Sequence, residues 1–227
     1  MLSIIIPCLN EASRIAEMLG RLAPLRARGA EVIVVDGGSR DDTVALARAG
    51  ADLVICAARG RAAQMNAGAA RARGEILIFV HADSALPPQA DGLIIDALTR
   101  SRRSWGRFDV SIDGRHPLLR VVEWLMNLRS RLTGIATGDQ GLFVTRTLFE
   151  AAGGFPLIAL MEDIALSKRL KRFSRPACLR HRIVTSARRW EKHGVARTIL
   201  LMWWLRLAFW LGADPDKLAL RYAANGN

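Results

Sequence analysis

A chain of 227 residues, 51% hydrophobic and 24% charged, has room for one large domain or one domain with an appendage, and enough apolar side chains to exclude disorder as its main state. Its 33 Lys and Arg against 21 Asp and Glu leave a net charge of +12, with the basic residues crowded into Arg100–Arg107, Arg115–Arg131 and Lys168–Arg206. Such a field attracts phosphates of nucleic acid, nucleotides or lipid headgroups alike. Three widely spaced cysteines without a CxxC (Cys8, Cys56, Cys178) argue against a disulfide framework or a zinc site, and the apolar runs around Cys8 and Cys56 predict small buried side chains.

Leu2–Ile6 reads as a short apolar strand closed by Pro7, and Glu11–Leu22 as a helix with Asn10 as its N-cap. Glu31–Val35 is strand-like and stops at Asp36-Gly37-Gly38; Asp41–Ala49 reads as a helix and Leu53–Ile55 as a strand. The Ala-rich Arg61–Arg71 is helical, and Glu75–Val80 is a fourth strand ending at His81-Ala82-Asp83. Strands without polar alternation, separated by helices, predict a parallel sheet covered on both faces, with ligands bound outside the carboxyl ends of the strands. Asn10-Glu11, Asp36 and Asp83 stand at those ends.

Beyond residue 100 the pattern loosens. Gln89–Thr99 and the amphipathic Leu118–Leu132 read as helices, Gly106–Ile112 and Gly141–Thr145 as strands, and Glu162–Arg172 as a helix. From Arg189 onward one long basic and aromatic helix is expected. Leu2–Ile6 is too short for a signal sequence. Ile199–Ala213, broken by Arg206, falls short of the about 20 apolar residues of a membrane span, so a cytoplasmic protein that touches a membrane surface is expected. The Trp and Arg residues of Thr198–Gly212 suit a membrane interface, a helix packed on its own domain, or a homodimer contact.

The turn after the first strand, Pro7-Cys8-Leu9-Asn10-Glu11, has no glycine, and no P-loop occurs, which disfavours dehydrogenases and P-loop enzymes. What remains is an ordered series: Ile4–Glu11, Val34–Thr43 with Asp36-Gly37-Gly38-Ser39, Phe79–Ser84 with His81-Ala82-Asp83, Gly138-Asp139-Gln140-Gly141, Met161-Glu162-Asp163 and Arg188-Arg189-Trp190. This series resembles the family 2 glycosyltransferases from Leu2 to about Trp190. The resemblance implies a GT-A fold: an α/β, Rossmann-like, mostly parallel sheet flanked by helices. Its nucleotide-binding half would be 1–100, its acceptor half 101–190, and 191–227 a helical appendage.

The resemblance also implies roles. Asp36 would bind the nucleotide base, the competing reading being an Asx turn; Pro7, Asn10 and Glu11 would line the same pocket. Gly60, Arg61 and Asn66 would lie beneath the donor, Arg61 facing the diphosphate where relatives carry an Arg just before the Asn, here Met65. His81-Ala82-Asp83 matches the DxD position. Asp83 would hold Mn²⁺ or Mg²⁺, with His81 either a ligand or a hydrogen-bonded neighbour. Asp163 would be the general base of an inverting, in-line transfer and Glu162 its orienting neighbour, although acids at a helix start also complement the dipole.

Gly138, Asp139 and Gln140 would contact acceptor or sugar. Arg189 and Trp190 resemble the end of the QxxRW motif of processive synthases, but Ser186 replaces the Gln, which argues against polymer extrusion. The partners so implied are a nucleotide diphosphate sugar and a hydroxyl acceptor, lipid-linked if the membrane contact holds, and no nucleic acid. A nucleotidyltransferase would want a Gly-rich basic loop after the first strand. A non-catalytic phosphate- or membrane-binding relative would not need Asp36, Asp83 and Asp163 at the ligand edge.

Overall fold

The computed structural model describes residues 1–224, with only the backbone of Arg189. The chain runs β1 (Leu2–Cys8), α1 (Ala12–Ala27), β2 (Glu31–Asp36), α2 (Thr43–Arg48), β3 (Leu53–Cys56), α3 (Arg61–Arg71), β4 (Ile76–Phe79), β5 (Ser84–Ala85) and α4 (Ala90–Ser101). It continues β6 (Trp105–Asp113), α5 (Pro117–Thr133), a 3₁₀ turn (Gly138–Gln140), β7 (Phe143–Thr145), α6 (Arg146–Ala151), α7 (Glu162–Leu170), β8 (Ala177–Ser186), α8 (Arg188–His193), α9 (Val195–Trp210) and α10 (Pro215–Ala224).

One sheet has the order β3-β2-β1-β4-β7-β6-β8-β5. The β1–β2, β1–β4, β2–β3 and β6–β8 pairs are parallel, and β7 joins β4 to β6 by antiparallel pairing. Every residue of β1 and β2 is buried, as expected of central strands covered on both faces. Alternation divides them between two cores. Ile4, Ile6, Val32 and Val34 pack with Ile15, Met18, Leu19 and Leu22 of α1. Ile5, Ile33 and Val35 pack with Ala62, Met65 and Ala69 of α3 and with Phe79, Phe149 and Phe155. Fully burying an Ile of this kind is worth about 1.5–3 kcal/mol.

Gly68 lets α3 press on the sheet: a Cβ there would stand 2.5 Å from Ile5 Cγ2 and 2.9 Å from Val35 Cγ2. That contact fixes the start of α3, which carries Arg61 and Gln64.

Three expectations are corrected. Asn10 is not the cap of α1: it takes a left-handed φ of 54° and its Oδ1 accepts from Arg40 N at 2.9 Å. Asp41 Oδ2 instead accepts from Ala12 N at the helix start (3.1 Å). Cys56 is exposed, because β3 is a sheet edge. The long final helix is three helices, turned at Gly194 (φ 81°) and Gly212 (φ 90°), where glycine bears the left-handed backbone without strain. β8 was not anticipated. Its pairing with β6 shifts between Phe108 and Asp109, leaving Arg180 and His181 outside the register and hiding the strand period.

The helices beyond residue 190 do not stand apart. Leu205 and Leu218 are buried with Leu160, Met161 and Ile164, and Val195 is buried with Val110, Ile112 and Leu119. Among the described residues no helix is long and apolar enough to cross a membrane.

Candidate active site

A cavity of about 1030 Å³ lies at the carboxyl ends of β1 and β4. The turn after β1 supplies Pro7, Cys8 and Glu11, the start of α3 supplies Gly60, Arg61 and Gln64, and the turn after β4 supplies His81, Ala82 and Asp83. Gly138 and Asp139 enter from the 3₁₀ turn, Glu162 and Asp163 from α7, and Trp190 from α8. α5 and α9 form the remaining wall.

Backbone geometry aims the acidic pair. Met161 precedes α7 with a left-handed φ of 68°, uncommon for an unbranched apolar residue, and is buried. The Asp163 carboxylate is held from both sides: Oδ2 accepts from Gly138 N (2.7 Å) and Oδ1 from Ile164 N (2.7 Å). Burial first, then the adjacent Asp163 charge, raises the Glu162 carboxyl above its ordinary value.

His81 Nδ1 lies 3.6 Å from Asp139 Oδ1, which makes it the neighbour of an acid in the wall. Burial works to raise the Asp139 carboxyl, but contact with His81 and the charges of Arg61 and Arg206 outweigh it and hold Asp139 low. A Cβ at Gly138 would fall 2.5 Å from His81 Nε2, so a larger residue there would displace the imidazole. The Glu11 carboxyl is raised by burial and by Asp83 and Asp41, against the pull of Arg188 and Arg14. Burial and the nearby Asp36 and Glu11 push the Cys8 thiol up to about 12, leaving it a protonated wall atom.

Four of the sequence-derived residues do not reach the cavity. Asp36 is buried in its own turn, accepting from Gly38 N (2.8 Å), Ser39 N (2.9 Å) and Ser39 Oγ; this is the Asx-turn geometry. Asn10 is tied to that turn, donating its N–H to Ser39 Oγ at 2.8 Å. Asn66 clamps a loop: its Nδ2 donates to Phe155 O (2.8 Å) and its Oδ1 accepts from Phe155 N (2.9 Å). Gln140 is wholly buried and donates to Ser130 Oγ (3.1 Å), shaping the turn that presents Gly138 and Asp139. The side chain of Arg189 lies outside the described residues.

The sequence reading missed Gln64, whose Nε2 ties Cys8 O to Val35 O (2.8 Å each), and the two arginines Arg129 and Arg206. For these the available signal was helical spacing: Leu118, Val121, Val122, Leu125, Met126 and Arg129 form one stripe of α5 along the cavity.

No group of three or more His, Cys, Asp or Glu side chains that could hold a metal ion occurs among the described residues. Asp83 is a hard oxygen donor, and its charge is felt at the neighbouring Glu11 carboxyl. That chemistry suits Mg²⁺ or Mn²⁺ if other oxygen ligands come from a bound diphosphate.

A sheet of this order with a cavity of mixed charge at its carboxyl ends is the GT-A arrangement. The chain belongs to glycosyl transferase family 2, whose family profile matches residues 3–149. It is similar to the undecaprenyl-phosphate 4-deoxy-4-formamido-L-arabinose transferase of Pseudomonas paraeruginosa, with 30% identity over 66% of this chain and 49% of that protein. It is also similar to the dolichyl-phosphate beta-glucosyltransferase of Drosophila melanogaster, with 35% identity over 50% of this chain and 40% of that one. The chain thus spans half or less of the length of these relatives. Among solved structures it is similar to the mannosyltransferase PcManGT of Pyrobaculum calidifontis in complex with GDP-Man and Mn²⁺. Identity there is 26% and the TM-score 0.61, over 81% of this chain and 56% of that one.

Proposed function

We propose that the protein transfers a sugar from a nucleotide diphosphate sugar to an acceptor hydroxyl, with inversion at the anomeric carbon. The observation that carries this reading is the convergence of Asp83, Glu162 and Asp163 with Arg61 in one cavity at the carboxyl ends of β1 and β4. Phosphates are repelled by carboxylates alone, so this mixture of charges suits a diphosphate held together with a cation. The relatives' names and the complexed PcManGT structure support the same reading.

In this reading residues 1–100 bind the donor. Pro7, Glu11, Gly60 and Arg61 border it, Arg61 placing a guanidinium toward the diphosphate. Asp83 would hold Mn²⁺ or Mg²⁺, which when bound offsets the charge gathering on the departing nucleotide diphosphate. Asp163, fixed by the N–H groups of Gly138 and Ile164, takes the proton of the acceptor hydroxyl as its oxygen attacks the anomeric carbon. Glu162 remains an uncharged neighbour over more of the pH range than an exposed acid. Asp139 and Trp190 border the acceptor side. The exposed apolar side chains of α5 and α9 touch a membrane surface, which suits a lipid-borne acceptor.

A thermal-shift panel of UDP, GDP, CDP and dTDP with and without Mn²⁺ tests the donor site. One nucleotide at about one hundred times its dissociation constant should add about 2.7 kcal/mol of stability. The metal-dependent part should vanish in Asp83→Ala. Folded protein that shifts with none of the four would refute the reading.

A further inference from the structure

Two helices meet the cavity in the same way. The cavity-facing stripe of α5 runs Leu118, Val121, Val122, Leu125, Met126 and ends in Arg129. That of α9 runs Thr198, Ile199, Met202, Trp203 and ends in Arg206. From Leu118 to Arg129 the apolar path is about 16 Å at 1.5 Å per residue. On α5 it is open at the end of Leu118 and Val121, both exposed, and it closes on the two arginines at the other.

The charged end has hydrogen bonds left unmade. Arg129 Nε and Nη2 and Arg206 Nε are out of contact with solvent and make no hydrogen bond among the described residues. Leaving a buried guanidinium N–H unmade costs more than an ordinary lost hydrogen bond. The two cations also oppose each other: burial and then the Arg206 charge pull Arg129 down to about 10, although Asp163 works the other way. Burial likewise lowers Arg206, against the charges of Asp163 and Asp139. Paired, desolvated guanidinia with free N–H groups are matched by the oxygens of one phosphate.

We propose that Arg129 and Arg206 seat the phosphate of the acceptor, a phosphate monoester on an apolar chain whose P–OH is the acceptor hydroxyl (its oxygen bonds the anomeric carbon, its proton passes to Asp163 and the nucleotide diphosphate leaves), with the chain lying along the α5 and α9 stripes toward the open end. The assignment rests on the transfer reading only in calling this ligand the acceptor. Donor phosphates are served elsewhere: Arg59 and Arg61 stand at the start of α3 beside the β1 and β4 turns, whereas Arg129 and Arg206 sit on helices whose other cavity-facing residues are uncharged. The phosphate so held lies beside Asp163, whose charge is felt at both guanidinia.

The test is binding to the whole chain without donor, read by tryptophan fluorescence (Trp190 and Trp203 line the cavity) and by calorimetry. The probes are dodecyl phosphate below its micelle concentration, glycerol phosphate and uncharged dodecyl maltoside. Dodecyl phosphate should bind at least tenfold tighter than either of the others. Arg129→Gln and Arg206→Gln should each cost tenfold or more in dodecyl phosphate affinity and leave the nucleotide-induced thermal shift unchanged. Arg129→Lys and Arg206→Lys keep the charge without the fork, and should fall between. Equal binding of glycerol phosphate would overturn the apolar path and leave a site for small free phosphates. Equal binding of dodecyl maltoside, or unchanged dodecyl phosphate affinity in the variants, would remove the phosphate seat. Loss of the nucleotide shift in the variants would move both arginines to the donor. Failure of the nucleotide panel with dodecyl phosphate binding intact would refute the transfer reading and leave the phosphate site standing.

Discussion

At the scale of single residues, the acidic pair that opens α7 is the sharpest feature, because its two members have different environments. Glu162 is buried beside a fixed Asp163 carboxylate, so its folded-state value lies above the unfolded one. The native protein then keeps this proton while the unfolded chain loses it, and stability falls as pH rises from the ordinary glutamate value through the raised one. Glu162→Gln should therefore be more stable than wild type at pH 7–8, with the gap closing toward pH 4. Melting curves across that range would show it, and a gap independent of pH would contradict the assigned burial effect. Asp163→Asn should lose transfer by orders of magnitude while keeping the nucleotide-induced thermal shift; equal loss of both would remove its role as base.

Asp83, Glu162 and Asp163 were legible in the sequence through the resemblance of their motifs to those of the family, and all three line the one cavity. Asp36, Asn66 and Gln140 stood in equally suggestive motifs, yet their side chains are consumed by local hydrogen bonds. A motif specifies that a turn is built in one way; it does not say which of its polar atoms remain free.

At the scale of elements, short apolar runs between amphipathic helices were enough to read the parallel half, since β1, β2 and β4 have no other way to bury both faces. β8 escaped because Arg180 and His181 fall outside its register with β6, and the period that marks a strand is lost there. Gly68 gives a test of how tightly these elements are joined. An exposed helical glycine usually gains about 1 kcal/mol on conversion to Ala. Here the new Cβ would meet Ile5 and Val35 at 2.5 and 2.9 Å. Gly68→Ala should therefore destabilise by about 1–3 kcal/mol, the usual cost of overpacking a core. A rise in melting temperature would mean that α3 stands farther from β1 than described.

At the scale of the whole molecule, a +12 chain carries an outer α9 face of Leu200, Trp204 and Leu207, all exposed, beside the exposed Trp210 and Leu211. Bulky apolar groups and positive charge together favour anionic lipid surfaces. Leu207→Ser with Trp210→Ser should release the protein from anionic vesicles in a sedimentation assay without lowering its melting temperature, since neither residue is buried. Unchanged sedimentation would assign this face to a protein partner instead. Shortening the chain after Gly194 is the wrong instrument, because it would strip Leu205 and Leu218 from the core around Leu160, Met161 and Ile164.

That last core has a consequence for the order in which the protein comes into being. Met161, whose left-handed turn aims Glu162 and Asp163, rests against side chains made some forty to sixty residues later. The acidic pair gains its backing, and the cavity its Arg206, only when α9 and α10 have emerged. A nascent chain that has reached only β8 therefore carries every strand of the sheet but lacks the side chains against which Met161 rests.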